Sequence, residues 1–145
     1  MFFSKTCEYA IRAVLFIANR SEDAPKAGIQ EIAQGIDSPG HFIAKILQVL
    51  VRNGLIQSTK GPNGGFYIDS QNRQYTLADI VKVVDGERLF KGCGLGLSQC
   101  SETKPCPLHE SFKGIRQQIY ETLTSTKIGE FNEALNQGLQ YLKER

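Results

Sequence analysis

Ser38-Pro39-Gly40-His41-Phe42-Ile43-Ala44-Lys45-Ile46-Leu47-Gln48-Val49-Leu50-Val51-Arg52-Asn53-Gly54-Leu55-Ile56-Gln57-Ser58-Thr59-Lys60-Gly61-Pro62-Asn63-Gly64-Gly65-Phe66-Tyr67-Ile68-Asp69 is the stretch that decides the fold. Ile43, Ile46, Leu47, Leu50 and Val51 recur at helical spacing, Pro39 is suited to the first helical position after a Ser38 cap, and Asn53-Gly54 stops the helix. Leu55 to Thr59 and Phe66 to Asp69 then read as two short strands around a Lys60-Gly61-Pro62-Asn63-Gly64-Gly65 tip, where glycines supply positive φ.

Two helical patterns precede this stretch. Ser4 to Asn19 carries an apolar stripe of Ala10, Ile11, Val14, Leu15 and Ala18, and Ile29, Ile32, Ala33 and Ile36 give a shorter helix. Three helices followed by a hairpin is the order of a winged helix-turn-helix, in which the third helix faces the major groove and the hairpin lies along the backbone or minor groove. Ser38, His41, Lys45, Gln48, Arg52, Lys60, Gly61, Asn63 and Gly64 are therefore the candidate contacts to a double-stranded DNA operator. The competing reading is a solvated helix face and an ordinary tight turn.

Charge agrees with the first reading. The 145-residue chain is almost neutral overall at +2, but no Asp or Glu occurs between Ser38 and Ile68, while His41, Lys45, Arg52 and Lys60 do. An acid-free basic segment suits a phosphate-facing element. Hydrophobic content of 41% and charged content of 22% place the chain among globular proteins, and the longest apolar run, Ala13 to Ala18, is too short to cross a bilayer. The first residues lack the pattern of a signal peptide, so the expected compartment is the cytoplasm, with no membrane partner.

Beyond the hairpin, Leu77, Ile80, Val81 and Val84 predict a helix ending near Asp85-Gly86. Pro107 can begin another, in which Leu108, Phe112, Ile115 and Ile119 repeat at four, three and four residues, the spacing of a coiled-coil seam. That seam either joins two subunits or packs within one; a homodimer is preferred because helix-turn-helix proteins commonly read paired half-sites. Phe131, Ala134, Leu135, Gly138, Leu139 and Leu142 predict a last amphipathic helix. The expected architecture is mainly α with a small β-hairpin wing: a winged helix-turn-helix domain over 1–74, and a loop plus dimerisation helices over 75–145.

Between these helices lies Gly92-Cys93-Gly94-Leu95-Gly96-Leu97-Ser98-Gln99-Cys100-Ser101-Glu102-Thr103-Lys104-Pro105-Cys106-Pro107-Leu108-His109. Core cysteines fall on apolar helix or strand faces, whereas these three thiols lie among Gly, Ser, Gln and Pro, with an imidazole at the end. Soft sulfur donors in a pliable, glycine-rich backbone suit a cluster or a metal ion. Without an export signal, metal or redox chemistry is favoured over structural disulfides. Cys7, in the first helix, reads as a packed thiol.

These segments together resemble the bacterial winged-helix regulators that include the iron-sulfur cluster regulator and the nitric-oxide-sensitive repressor. The likeness is carried by Cys7-Glu8-Tyr9-Ala10-Ile11-Arg12-Ala13, Ile29-Gln30-Glu31-Ile32-Ala33, Lys60-Gly61-Pro62-Asn63-Gly64-Gly65-Phe66-Tyr67 and the position of the cysteine loop. It implies that Cys93, Cys100 and Cys106 bind an iron-sulfur cluster, 2Fe-2S favoured over 4Fe-4S, with His109 as fourth ligand and Glu8, acting across a dimer, as the alternative. Six residues separate Cys93 from Cys100, where close relatives commonly have five.

Three functions follow for comparison: a homodimeric DNA-binding regulator sensing cluster or nitrosative status, the same regulator using zinc or thiol oxidation in place of the cluster, and a small electron-transfer protein. The last leaves the helices and wing without a purpose. No enzyme is expected, since His41 and His109, the two histidines, sit in no nucleophile or metalloprotease motif.

Overall fold

The computed structural model describes residues 2–20, 25–138 and 140–143. Helix α1 spans Lys5–Ala18, α2 Ile29–Gly35 and α3 Gly40–Arg52, followed by strands β1 at Gln57–Thr59 and β2 at Gly65–Tyr67. Then come α4 at Leu77–Asp85, α5 at Arg88–Lys91, α6 at His109–Ser125 and α7 at Asn132–Asn136, with short 3-10 turns at Asn72–Gln74 and Ile128–Phe131.

Helix α1 is the hub because its buried positions are small: Ala10, Ala13 and Ala18 let α3 and α4 approach closely, while Val14 and Ile17 fill the space between. Ser4 caps it, its hydroxyl accepting the Cys7 N–H at 3.0 Å. The main core joins these residues to Ile32, Ile36, Ile43, Leu47, Leu50, Leu55, Ile56 and Ile80. Each of these large aliphatic side chains contributes about 1.5–3 kcal/mol by leaving water. A second cluster of Cys7, Ala78, Val81 and Leu123 lies on the other side of α4 and anchors the long helix α6.

The hairpin pairs antiparallel, Gln57 opposite Tyr67 and Thr59 opposite Gly65. Ala27 extends it, exchanging backbone hydrogen bonds with Phe66 at 3.0 and 2.8 Å. Gly65 has φ +140°, and a Cβ there would stand 2.8 Å from the Ala27 carbonyl oxygen, so only glycine passes beneath that strand. At the far end, Thr76 and Asp79 form a capping box for α4, and the Leu77 N–H donates to the Thr126 carbonyl at 3.0 Å, tying the end of α6 to the start of α4.

Four local expectations change. Helix α3 begins at Gly40 with Pro39 in the cap position and no side-chain cap bond, and the Ser38 hydroxyl is buried without a hydrogen-bond partner among the described residues. Both strands are shorter than expected, because Leu55, Ile56 and Ile68 turn into the core instead of extending the ladder. The helix expected from Pro107 starts at His109. The expected last helix ends at Asn136, where Gly138 adopts φ +71°; Leu139 lies outside the described residues. Helix α5, four residues long, was not foreshadowed by any apolar period.

Candidate nucleic-acid interface and thiol loop

On α3, His41, Lys45, Gln48 and Arg52 follow one another at four, three and four residues, which confines them to a stripe roughly 60° wide on the helix surface. All four are exposed, while Ile43, Ile46, Leu47 and Leu50 hold the opposite face in the core. The stripe is therefore a rigid reading edge. Ser38 stands apart from it, its hydroxyl turned inward.

Lys60, Gly61 and Asn63 are exposed on the wing tip, and Gly64 is half-buried in the turn. One cation that sequence reading missed joins them. Lys26, ahead of α2, donates to Thr59 Oγ1 at 3.0 Å and sits 4.8 Å from the centre of the Tyr67 ring. It comes to the wing through the Ala27–Phe66 pairing, a long-range contact that leaves no periodic trace in sequence.

The thiol loop spans the gap between α5 and α6 and brings its donors together in two pairs. Cys93 Sγ and Cys106 Sγ are 3.9 Å apart, and Cys100 Sγ lies 3.4 Å from His109 Nδ1. Two sulfur ligands on one tetrahedral ion stand ~3.8 Å apart, and a sulfur and a nitrogen ~3.5 Å apart, for bond lengths of about 2.3 and 2.0 Å. Each pair is thus spaced as two ligands of one metal ion. Gly94 permits this loop path: a Cβ there would meet the Phe112 ring at 2.5 Å.

Three charged groups surround the donors. Arg116 Nη2 donates to Cys100 Sγ at 3.0 Å. His109 is buried, and its Nε2 faces Glu102 Oε2 at 3.3 Å without hydrogen-bond alignment; Glu102 in turn pairs with Lys113 at 2.7 Å. The Lys113 hydrogen bond, followed by His109, holds the Glu102 carboxyl below the usual carboxylate range. The backbone N–H groups of Leu95 and Leu97 lower the Cys93 thiol below the ordinary cysteine value. Arg116 was legible in principle, since it follows His109 by seven residues and so shares its helix face; Glu102, in an irregular loop, was not.

Glu8 sits in the first turn of α1, where its described partner is Lys5 at 3.5 Å, not a loop residue. Cys7 is a buried thiol pushed up to about 12, first by burial and then by the Asp85 carboxylate. It belongs to the α1–α4 packing.

The model of the family described as iron-dependent transcriptional regulators matches residues 3–134. The chain belongs to the Rrf2 family. An Aquifex aeolicus protein named as an HTH-type transcriptional regulator is 31% identical over 130 residues, covering 88% of this chain and 89% of the relative. The HTH-type transcriptional regulator IscR of Cronobacter sakazakii is 27% identical over 124 residues, covering 84% and 74%. Among solved structures, CymR, the global cysteine regulator of B. subtilis, superposes with a TM-score of 0.73 at 22% identity, covering 90% of this chain and 95% of that one. The IscR of T. potens gives 0.69 at 20% identity, covering 94% and 90%.

These likenesses establish the Rrf2 winged-helix fold, with its two-stranded wing. This Rrf2 chain is a DNA-binding transcriptional regulator, as its relatives are, and not an enzyme. No described helix is long and apolar enough to cross a membrane.

Proposed function

We propose that the protein is a homodimeric operator-binding regulator whose affinity for DNA depends on an iron-sulfur cluster held by Cys93, Cys100, Cys106 and His109. The observation that carries this reading is the pairing of the donors, Cys93 with Cys106 at 3.9 Å and Cys100 with His109 at 3.4 Å. Three soft sulfurs and an imidazole fit such a group, and two pairs at single-ion spacing favour a 2Fe-2S over a 4Fe-4S cluster. The cluster would supply an exchangeable, redox-responsive centre.

The chain's own residues set how that centre is held. The Arg116 guanidinium donates to the Cys100 sulfur and would support it as a ligand. Glu102 faces Nε2 of His109, which directs Nδ1 towards Cys100. Helix α6 begins at His109 and ends against α4, so ordering of the loop is transmitted along one rigid element to the helix packed on α1.

Dimerisation is supported by Leu108, in the cap position of α6, and Ile115, seven residues further on, which are 39% and 46% exposed, whereas Ile119 packs inward against the second cluster. Two α3 helices placed about 34–36 Å apart would enter successive major grooves on one face of an operator. Lys26, Lys60 and the wing backbone would take the flanking phosphates.

The decisive experiment measures iron, zinc and acid-labile sulfide in protein purified without oxygen, together with operator binding by loaded and cluster-free forms. About two irons and two sulfides per chain, with a change in operator affinity on removal, is the expected result. Zinc without sulfide, or equal affinity of the two forms for every operator, overturns the cluster-sensing mechanism.

A further inference from the structure

The loop contains three thiols and therefore three ways to form one disulfide, and the structure distinguishes among them. Cys100 Sγ is engaged instead by Arg116 Nη2 at 3.0 Å and by His109 Nδ1 at 3.4 Å. Cys93 and Cys106 face each other at 3.9 Å, close enough to bond after a modest movement of a glycine-flanked loop. We propose that the cluster-free protein forms an intrachain Cys93–Cys106 disulfide on exposure to small, anionic disulfides, and that this bond blocks cluster loading. The disulfide rests on the loop geometry alone, whereas the block to loading rests on the cluster-site reading.

Access and direction come from the surroundings of Cys93. A cleft of about 410 Å³ opens beside it, lined by Arg88, Lys91, Gly96, Leu97 and Ser98, with Glu87 paired to Lys91 at its edge. Cys93 is thus the entering nucleophile. Its sulfur attacks one sulfur of the small disulfide, the bond between the two small thiols breaks, and one leaves as a thiolate. Cys106 then attacks Cys93 Sγ and expels the second. Two protein thiols are oxidised, the small disulfide is reduced to two thiols, and the two protons lost by the cysteines pass to them. Cys100 takes no part.

The test uses the full chain, stripped of metal anaerobically with a chelator and treated with oxidised glutathione. Free thiols are alkylated and the protein is digested after glutamate, which separates Cys106 from the peptide holding Cys93 and Cys100. Fragment masses identify which of those two is linked. The expected product is an intrachain Cys93–Cys106 bond, formed equally by Cys100→Ser and absent from Cys93→Ser and Cys106→Ser. The oxidised protein should take up less than a tenth of the iron and sulfide that the reduced protein does, with recovery after dithiothreitol. A bond involving Cys100, a bond between chains, or three thiols still open to alkylation overturns the proposal, as does undiminished cluster uptake by the oxidised protein. Because never-oxidised protein is loaded in parallel, failure of the disulfide and failure of the cluster reading give different results. The wild-type map stands even if a serine variant folds poorly.

Discussion

Arg116 Nη2 lies 3.0 Å from Cys100 Sγ, and His109 Nδ1 approaches the same sulfur at 3.4 Å from one face of α6. One helix therefore fixes both a cation and an imidazole against a thiol that belongs to an irregular loop. Arg116→Met should release iron to a chelator about 10–100-fold faster than wild type, the usual cost of losing a group that supports a metal ligand. Arg116→Lys should recover part of that loss, since an ammonium supplies charge but not the planar donor. Iron release followed by visible absorbance checks this, and equal release by wild type and Arg116→Met would show the contact to be incidental.

The exposed α3 stripe and wing should divide into two kinds of contact. Lys60→Ala should weaken binding to operator and unrelated duplex alike, and should make the slope of log affinity against log salt shallower by about 0.9. Gln48→Ala should instead lose discrimination at one base position by about 1–3 kcal/mol. Binding titrations over a salt series with matched operator variants separate the two.

The wing depends on Gly65, which combines φ +140° with a Cβ position 2.8 Å from the Ala27 carbonyl oxygen. Gly65→Ala should cost about 1–3 kcal/mol in denaturant unfolding and lower operator affinity, because it detaches the Ala27 bridge that carries Lys26 to the wing. Gly114→Ala, on the exposed surface of α6 where a Cβ meets nothing within 4 Å, serves as the control and should not lower stability.

Cys7 gives a pH signature. Its thiol is raised from an ordinary value of 9.0 to about 12 in the folded chain, so folding favours its protonated form. The associated stability is fully present below pH ~9 and is lost as pH rises from there through about 12. Wild type should therefore lose more stability than Cys7→Ala between pH 9 and 12, as read from urea midpoints. Native protein at pH 8 should also alkylate at the loop thiols and not at Cys7, which mass spectrometry of labelled peptides will show.

The helices that were most legible are those whose cores are built by one face. Ile43, Ile46, Leu47 and Leu50 announce α3, and all four are buried where their spacing put them. The wing was legible from its glycines, but its strand lengths were not, because apolar Leu55, Ile56 and Ile68 serve the core as readily as they would serve a ladder. The end of the chain was overread: Phe131, Ala134 and Leu135 have helical spacing, yet the helix stops at Asn136 before the left-handed Gly138.

Local chemistry in the chain determined which residues could act: an acid-free basic helix and hairpin, and three thiols with an imidazole in a glycine-rich loop. Periodicity reports which face of a helix is buried, so it also reported the exposed stripe of His41, Lys45, Gln48 and Arg52. Only the tertiary structure decided how the loop donors pair and what supports them. Cys93 lies thirteen residues from Cys106, and Lys26 thirty-three from Thr59. Such contacts arise from helices packing on α1 and strands crossing at Phe66, and no local rule of residue spacing encodes them.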